Sequence, residues 1–364
     1  MKIFLVACWL FDNQGEKPTY GGSQRYCIEL GQLLKSQGYN VEILQRASKN
    51  FNTSYNNLPV RGFAVSSHQW GLWQFSYKVK KVMKPQDLAI YVYQEASFPF
   101  IHTNAISIQH GLNWNANDKK LRFLNTRIIQ PFMVRKMKRI ICVDTAYINW
   151  LITQINSSDD TLAKCRYIPN FVDNQSFMMK ESTSEEKIVL FPRRMVKHRG
   201  VFLAYEAMKK LWDKGLNYKI IFCGHGDASA SIAERAKADG FEDLISIIEV
   251  SFDDMPAIYK KATVSIIPTI AYEGTSLSAI ESMATGVPPI VTYIGGLGNI
   301  VISNHNGMCI TPTPTALADS LEYLLNNDEK REIMARNCLA TAKALDINVW
   351  KNQWIKVVKE LCES

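Results

Sequence analysis

The chain has 364 residues, of which 47% are hydrophobic and 21% charged, a balance typical of globular proteins. This length suits two domains of roughly 150–200 residues each. No apolar run approaches the roughly 20 residues that cross a bilayer, and we interpret the apolar residues 3–11 as a buried strand, not a signal peptide. Basic residues outnumber acidic ones 21 to 10 in 1–172 and are outnumbered 21 to 24 in 173–364. The net charges of +11 and −3 indicate that the first half faces something anionic.

The eight cysteines show no C-x-x-C pair and no metal-ligand spacing. Several lie within apolar runs that resemble strands, which indicates reduced core thiols in a cytoplasmic protein. We therefore expect no structural zinc.

In the first half, short apolar runs alternate with amphipathic patterns. The predicted strands are 2–8, 40–44, 88–93, 105–109 and 139–143. The predicted helices are 22–37, 123–138 and 147–155. Pro131 is expected to kink or restart the second of these helices.

Residues 181–187 are polar and charged without periodicity, and they predict a boundary loop. The second half then continues with predicted strands at 188–191, 218–223, 245–249, 264–268 and 289–292. Its predicted helices are 201–214, 229–239, 255–262, 276–284, 315–326 and 329–344. This repeated order predicts an α/β fold with two facing, Rossmann-like, doubly wound parallel sheets and one cleft between them. We place the domains at 1–172 and 173–345.

The sharpest chemical signal lies in residues 268–281. A strand ends at a proline, a loop of small residues follows, and a helix begins near Ser276. The backbone amides of Gly274, Thr275 and Ser276 would lie at the positive end of that helix, which suits a diphosphate.

Two glutamates bracket this helix start. Glu273 and Glu281 are eight positions apart, about 12 Å if the stretch were helical. That length matches a nucleotide sugar, so one carboxylate would hold the sugar and the other the ribose. A helix-terminal charge at Glu273 and an exposed helical Glu281 are the alternatives.

Cations gather in residues 191–200, after the first strand of this half. Arg194 follows the strand, and Arg199 precedes Gly200 at a helix start. Guanidinium groups at the carboxyl edge of a sheet neutralise a departing diphosphate without a metal. The alternative, a solvated basic loop, fits poorly with the acidic balance of this half.

Two further turns fit a nucleotide site. Gly224 and Gly226 form a tight strand-to-helix turn, where a base or ribose would lie close to the backbone. Residues 295–298, Gly-Gly-Leu-Gly, predict a similar close approach or a flexible turn. We assign recognition of the base to the residues after Cys223 and around Ser251.

Together these motifs resemble the donor domain of the retaining, family-four glycosyltransferases of the GT-B fold. The shared features begin with an Arg after a strand and, further along, a Lys or Arg directly before a Gly. The G-x-G turn, two glutamates separated by seven residues, and a late Gly-Gly complete the set. Residues 168–173, Ile-Pro-Asn-Phe-Val-Asp, are similar to the family's Ile-Pro-Asn-Gly-Val-Asp at the domain junction. The resemblance covers nearly the whole chain, more loosely in the first half.

The resemblance implies roles for most of these residues in binding a nucleotide-diphosphate sugar. Two arginines and several amides would bind the diphosphate: Arg194, Arg199, Gly274, Thr275, Ser276 and Leu277. Glu273 would contact the donor sugar and Glu281 the ribose. In the first half, Gly21 and Gly22 would lie beneath the phosphates.

His110 resembles the family histidine that reaches the transferred sugar from the first domain. Without the resemblance, a structural role is the simpler interpretation of this histidine. The resemblance also implies that the last helix, within residues 346–364, packs back onto the first domain.

Some positions depart from the family pattern. Arg193 and Phe171 stand where a glycine is usual, as does Ser276, and Asn299 stands where many members have Glu. These departures leave the identities of the donor sugar and of the nucleotide base undetermined.

The expected activity is a retaining transfer of a hexose or deoxyhexose from a nucleotide sugar to a glycan or lipid-linked glycan, in cell-surface polysaccharide or lipopolysaccharide assembly. We expect no cofactor and no metal, because no Asp-x-Asp motif follows a strand. A nucleotide-sugar epimerase and a catalytically silent glycan-binding partner are the alternatives. An NAD-dependent oxidoreductase is disfavoured, since G-x-G-x-x-G does not follow the first strand.

Cations mix with large apolar residues in 119–139, and lysines 78–84 follow Trp70 and Trp73. Such stretches suit peripheral contact with anionic lipids at the inner face of the cytoplasmic membrane. An ordinary amphipathic helix with a solvated basic face is the alternative. Nucleic acid is not an expected partner, because no recognition module accompanies the basic residues.

Overall fold

The computed structural model describes residues 1–7, 9–19, 21–67, 70–112, 119–155, 157–179 and 186–362. These residues form two compact units, of which the first comprises Met1–Ile168 with Lys351–Ser364 and the second Pro169–Trp350. The predicted division after residue 172 lies close to this boundary. Cys8 of the first predicted strand and residues 181–185 of the predicted boundary loop lie outside the described residues.

An eight-stranded sheet organises the first unit, in the order β3-β4-β2-β1-β5-β6-β7-β8. Its strands are β1 (Lys2–Val6), β2 (Asn40–Ala47), β3 (Phe51–Tyr55), β4 (Leu58–Ala64), β5 (Leu88–Tyr91), β6 (Ala105–Gln109), β7 (Arg139–Cys142) and β8 (Cys165–Tyr167). All neighbouring strands are parallel except β3 and β4. The helices are α1 (Gly22–Ser36), α2 (Trp70–Val82), α3 (Lys119–Leu124), α4 (Gln130–Lys136), α5 (Ala146–Thr153) and α6 (Asp159–Leu162).

The hairpin of β3 and β4 was not predicted. Alternate residues of β3 are exposed, so the strand has no apolar run that would mark it. The turn does carry a signal, because Asn56 and Asn57 both adopt positive φ, at 49° and 61°. Asparagine tolerates this conformation, which the tightest hairpin turns require at both central positions.

The predicted helix 123–138 is two α-helices joined by a π-helical turn, Asn125–Ile129. Pro131 lies in the first turn of α4. Proline has no N–H and crowds the carbonyl four residues earlier, so the regular ladder is interrupted there and the helix restarts. The predicted restart is therefore confirmed.

A six-stranded parallel sheet organises the second unit, in the order β11-β10-β9-β12-β13-β14. Its strands are β9 (Ile188–Phe191), β10 (Lys219–Cys223), β11 (Ile245–Ile248), β12 (Val264–Ile267), β13 (Pro289–Thr292) and β14 (Met308–Ile310). The helices are α7 (Val201–Trp212), α8 (Ser229–Asp239), α9 (Met255–Lys261), α10 (Leu277–Ala284), α11 (Pro314–Leu325), α12 (Asp328–Ala344) and α13 (Ile347–Cys362), the last belonging to the first unit from Lys351 onward.

Both faces of this second sheet are covered by helices, which explains why its central strands are continuous apolar runs. Val189 and Phe191 face a core formed with α7 and α11, whereas Leu190 faces the opposite core formed with α9 and α10. The chain proceeds outward from β9 to β11, then returns to β12 on the other side of β9. The strand order thus reverses between β9 and β12, and ligands of such sheets bind beside that reversal.

Candidate active site

Two loops leave the second sheet on either side of the reversal. β9 and β12 are parallel neighbours, with Val189 opposite Val264. Their carboxyl ends therefore meet at one edge of the sheet, where residues 192–200 follow β9 and residues 268–276 follow β12. Both segments were predicted to hold the donor, and the topology brings them together.

The first of these loops packs against the G-x-G turn. A Cβ atom on Gly224 would lie 2.4 Å from the carbonyl oxygen of Arg193, and one on Gly226 would lie 2.2 Å from that of Met195. Met195 N–H also donates to the carbonyl of His225 at 3.2 Å. The two glycines are thus required by contact between protein backbones. Their predicted contact with a base or ribose stays a prediction.

The Glu273 carboxylate is the centre of the site, and the residue is only 9% exposed. Its Oε2 atom accepts hydrogen bonds from Arg193 Nη2 and Arg199 Nη1, and from Thr269 Oγ1 at 3.0 Å. Burial alone would raise the pKa of Glu273, but the two guanidinium groups outweigh it and hold the pKa below its ordinary value. Glu273 is therefore ionised at neutral pH, and the three charged groups carry one net positive charge.

The main chain of Glu273 is fixed as well. A Cβ atom on Gly295, whose φ is +56°, would lie 1.9 Å from the Glu273 carbonyl oxygen. The N–H of Gly296 donates to the same oxygen at 3.1 Å. At residues 295–298 the chain thus closely approaches the loop after β12, and a close approach of a ligand to this turn stays a prediction.

The arginine that joins Arg199 at Glu273 is Arg193, which the sequence singled out only as a departure from the family pattern. Arg194 is exposed. Its charge nevertheless acts nearby, because burial and then the charges of Arg199, Arg194 and Arg193 lower the pKa of His198. The assignment of Arg194 to the diphosphate stays a prediction.

His198 was missed by the sequence analysis. Its ring stacks on Tyr272, with centroids 5.5 Å apart and planes inclined by 10°. Its carbonyl also accepts a hydrogen bond from Ile270 N–H at 3.1 Å. With its pKa lowered, His198 is a neutral side chain among cations, and it joins the two loops.

The start of α10 is held by the segment at the domain junction. Thr275 Oγ1 accepts a hydrogen bond from Asn170 N–H at 2.8 Å, and the Thr275 carbonyl accepts one from the Asn170 side chain. Ser276 precedes the first helical residue, Leu277, and its carbonyl accepts the bond from Ile280 N–H at 3.1 Å. Gly274, Thr275 and Ser276 are buried in this turn.

Glu281 lies in the second turn of α10 and is 6% exposed. The alternative of an exposed helical residue is therefore wrong. Tyr259 OH lies 3.1 Å from Glu281 Oε2 and 3.0 Å from the Ser278 carbonyl. Burial, followed by Glu281, raises the pKa of Tyr259, which keeps its hydroxyl proton available as a donor. The ribose contact of Glu281 stays a prediction.

Ser251 is exposed and donates to Asp254 Oδ2 at 2.6 Å, just before α9. It thus belongs to a local turn, and its predicted role in base recognition is untested.

The first unit places His110 directly after β6. Tyr26 meets its ring edge-on at 5.1 Å, and the Val92 carbonyl accepts a hydrogen bond from it. Burial lowers the pKa of His110 to about 4. Within the described ranges, Nε2 of His110 has no hydrogen-bond partner. Gly21 and Gly22 lie at the start of α1. The roles predicted for these glycines and for His110 stay predictions.

In the part of the chain that the structure describes, no three His, Cys, Asp or Glu side chains are grouped so as to hold a metal ion. No helix among the described residues combines the length and apolar character needed to cross a bilayer. The expected independence of a metal remains a prediction.

Comparison with known proteins places this geometry in a family. The model named "Glycosyltransferase Family 4" matches residues 20–176, and the model named "Glycosyl transferases group 1" matches residues 174–339. The two matches overlap at residues 174–176 and together span residues 20–339.

Whole-chain relatives agree with these matches. An uncharacterized glycosyltransferase of Methanocaldococcus jannaschii is 25% identical over 331 residues, which cover 88% of this chain and 89% of the relative. The phosphatidyl-myo-inositol mannosyltransferase of Mycobacterium tuberculosis is 22% identical over 393 residues, with 100% and 98% covered. Sucrose-phosphate synthase from Thermosynechococcus elongatus superposes with a TM-score of 0.81 at 17% identity, over 99% of this chain and 98% of the synthase.

The fold is the GT-B fold, and the enzyme class is glycosyltransferase. The chain belongs to the group 1, family-four glycosyltransferases. The predicted fold, family and enzyme class are confirmed.

Proposed function

We propose that this glycosyltransferase moves a hexose or deoxyhexose from a nucleotide-diphosphate sugar to a glycan or lipid-linked glycan, with retention of anomeric configuration and without a metal. The observation that carries the proposal is the charge cluster of Glu273, Arg193 and Arg199, beside the start of α10 and at the reversal of strand order.

Breaking the bond between sugar and phosphate leaves negative charge on the diphosphate. Arg194 and Arg199 would meet that charge, together with the backbone amides of Thr275, Ser276 and Leu277. Such groups stabilise the departing anion because they are already oriented when the charge develops. The helix dipole of α10 adds to the same field.

Glu273 would accept a hydrogen bond from a hydroxyl of the donor sugar, and Glu281 would accept one from a ribose hydroxyl. With its pKa held low by two arginines, Glu273 is a poor proton donor, and three hydrogen bonds already occupy one of its oxygens. A hydroxyl contact therefore suits it better than acid catalysis. Retention then follows a front-face route assisted by the leaving group, as the family resemblance implies, and His110 would contact the transferred sugar.

A lipid-linked acceptor is supported by the surface of the first unit. Four aromatic residues follow one another across it: Trp70, Trp73, Phe98 and Phe132, with successive ring centroids 4.8, 5.9 and 5.7 Å apart. We call this set the aromatic strip.

Trp70, Trp73 and Phe132 of the strip are exposed, whereas Phe98 is half-buried against the core. Phe75 and Val79 supply the buried face of α2. Trp70 is 65% exposed and therefore adds apolar surface outside that buried face. The same two helices carry exposed cations, Lys80 and Lys81 in α2 and Arg135 and Lys136 in α4. Apolar rings with nearby cations suit the headgroup layer of an anionic membrane.

We therefore place the enzyme in the cytoplasm, peripherally at the inner face of the cytoplasmic membrane, in cell-surface polysaccharide or lipopolysaccharide assembly. The M. tuberculosis relative, whose name gives phosphatidyl-myo-inositol as its acceptor, supports a lipid acceptor.

The direct test is to incubate the protein with UDP-, GDP-, dTDP- and ADP-sugars, with and without glycan and lipid-linked acceptors and with EDTA throughout. The proposal predicts release of one nucleoside diphosphate that acceptor accelerates, and a product with the donor's anomeric configuration. Epimerised donor without transfer would support the epimerase alternative, and no turnover of any donor would support the silent partner.

A further inference from the structure

Arg193 stands where the family resemblance expects a glycine, yet its side chain is built into the site. The side chain is only 7% exposed. Burial lowers the pKa of this guanidinium and Glu273 opposes that shift, which is the balance of a cation that depends on one buried partner.

The guanidinium group holds two neighbours at once. Nη2 donates to Glu273 Oε2 and Nη1 donates to Thr269 Oγ1. Thr269 Oγ1 in turn donates to Glu273 Oε2 at 3.0 Å. These three bonds close a ring, and only a forked, planar donor such as arginine completes it.

The ring leaves the two oxygens of Glu273 in different states. Oε2 accepts hydrogen bonds from Arg193, Arg199 and Thr269. These three bonds exceed the roughly two lone pairs of a carboxylate oxygen, so Oε2 has no capacity left for a ligand. No residue in the described ranges donates to Oε1. The carboxylate is thus locked in rotation with one oxygen left for a ligand.

The backbones of both partners are fixed independently. Gly295 and Gly296 contact the Glu273 carbonyl, and Gly224 leaves only enough room for the Arg193 carbonyl. The direction of Oε1 is consequently set by the side chains that hold Oε2, with Arg193 bonded to both Glu273 and Thr269, and not by loop movement.

We propose that Arg193 is a positioning residue that aims Oε1 of Glu273 at one hydroxyl of the donor sugar, and that it determines sugar specificity without touching the diphosphate. This inference rests on the proposed function. A nucleoside diphosphate without its sugar should therefore not sense the side chain of Arg193.

The experiment compares Arg193→Lys and Arg193→Gln with the same substitutions at Arg336, an exposed residue of α12. Calorimetry measures binding of UDP, GDP, dTDP and ADP and of UDP-glucose, GDP-mannose, dTDP-glucose and ADP-glucose. For the pair that the unchanged protein binds, we expect both Arg193 variants to lose roughly tenfold in affinity for the nucleotide sugar, the effect of one charged hydrogen bond. Affinity for the nucleoside diphosphate should stay within about twofold, and the Arg336 variants should bind both normally.

A second readout separates positioning from a merely structural role. The unchanged protein should prefer one sugar over its epimer at a single hydroxyl, and Arg193→Lys should reduce that preference in kcat/KM. Added guanidinium ion at millimolar concentration should restore part of it in Arg193→Gln. Should that variant not fold, Arg193→Lys, which keeps the buried charge, decides the matter alone.

Equal losses of affinity for the nucleoside diphosphate and for the nucleotide sugar would make Arg193 a diphosphate ligand and overturn the inference. Unchanged affinity for both ligands in the Arg193 variants would overturn it as well. Failure of the unchanged protein to bind any of the eight compounds would overturn the proposed function itself, and the inference with it.

Discussion

The two units treat their candidate polar groups differently. In the second unit, Glu273 is ionised, and the guanidinium groups of Arg193 and Arg199 both donate hydrogen bonds to it. In the first unit, His110 is neutral, with a pKa of about 4, and lies against the ring of Tyr26. A buried charge requires pairing, whereas a neutral imidazole tolerates an apolar setting. The region around Glu273 is thus organised by electrostatics, and the region around His110 by packing.

The largest effect that would break this comparison comes from Glu273→Gln. The change leaves two buried guanidinium groups without their anion, so we expect a loss of about 3–5 kcal/mol in the free energy of unfolding. Chemical denaturation at neutral pH measures it, with Glu332→Gln on the exposed face of α12 as the control.

The loss of stability in Glu273→Gln should depend on pH. A carboxyl group with a lowered folded pKa stabilises the protein above the ordinary glutamate value, about 4.3, and loses that contribution as the pH falls through the folded pKa. The gap between the variant and the unchanged protein should therefore narrow in acid. A gap independent of pH would show that the charge of Glu273 is not what is lost.

Arg194→Ala sharpens the comparison inside the second unit. Because Arg194 is exposed, its loss should leave the melting temperature unchanged, while turnover falls roughly 10²–10³-fold if it meets the leaving diphosphate. Arg336→Ala serves as the control. Near-normal turnover would remove Arg194 from the mechanism and leave Arg199 as its cation.

His110 provides the matching test in the first unit. Its folded pKa of about 4 lies below the ordinary histidine value, so the unfolded chain takes up the proton first and stability falls as the pH drops from about 6.5 towards 4. We expect His110→Gln to lose less stability than the unchanged protein over this window, by up to a few kcal/mol. Denaturation midpoints at several pH values measure the difference, and parallel curves would contradict the neutral, buried imidazole.

The smallest expected effect on stability and turnover concerns the surface of the first unit. Replacing Trp70 and Trp73 by Ala should weaken binding to vesicles that contain anionic lipid, by about 1–3 kcal/mol for each ring, with no change in donor turnover in solution. Tyr323→Ala, an exposed aromatic on α11, is the control. Equal sedimentation of all three proteins with such vesicles would argue against the aromatic strip as a membrane contact.

Much of the second unit followed from the sequence because each central strand is a short apolar run. The choice between Arg193 and Arg194 did not follow. In a strand, adjacent side chains point to opposite faces, but β9 ends at Phe191 and this rule does not extend to Arg193 and Arg194. Which of the two arginines turns towards Glu273 therefore depends on the path of the loop after Pro192. In the first unit, β3 was missed because two of its five residues face solvent and none is fully buried. The helix α2 was missed because its apolar stripe is interrupted by lysines.

The close approaches at Gly224 and Gly295 also bear on how this enzyme can change. Because a single added methyl group would collide with the carbonyl of Arg193 or of Glu273, the frame of the donor loops tolerates almost no substitution at those two glycines. Diversification towards new sugars is thereby channelled into side chains that project from a fixed frame. Position 193, where the family resemblance expects a glycine, is the natural site for such a change.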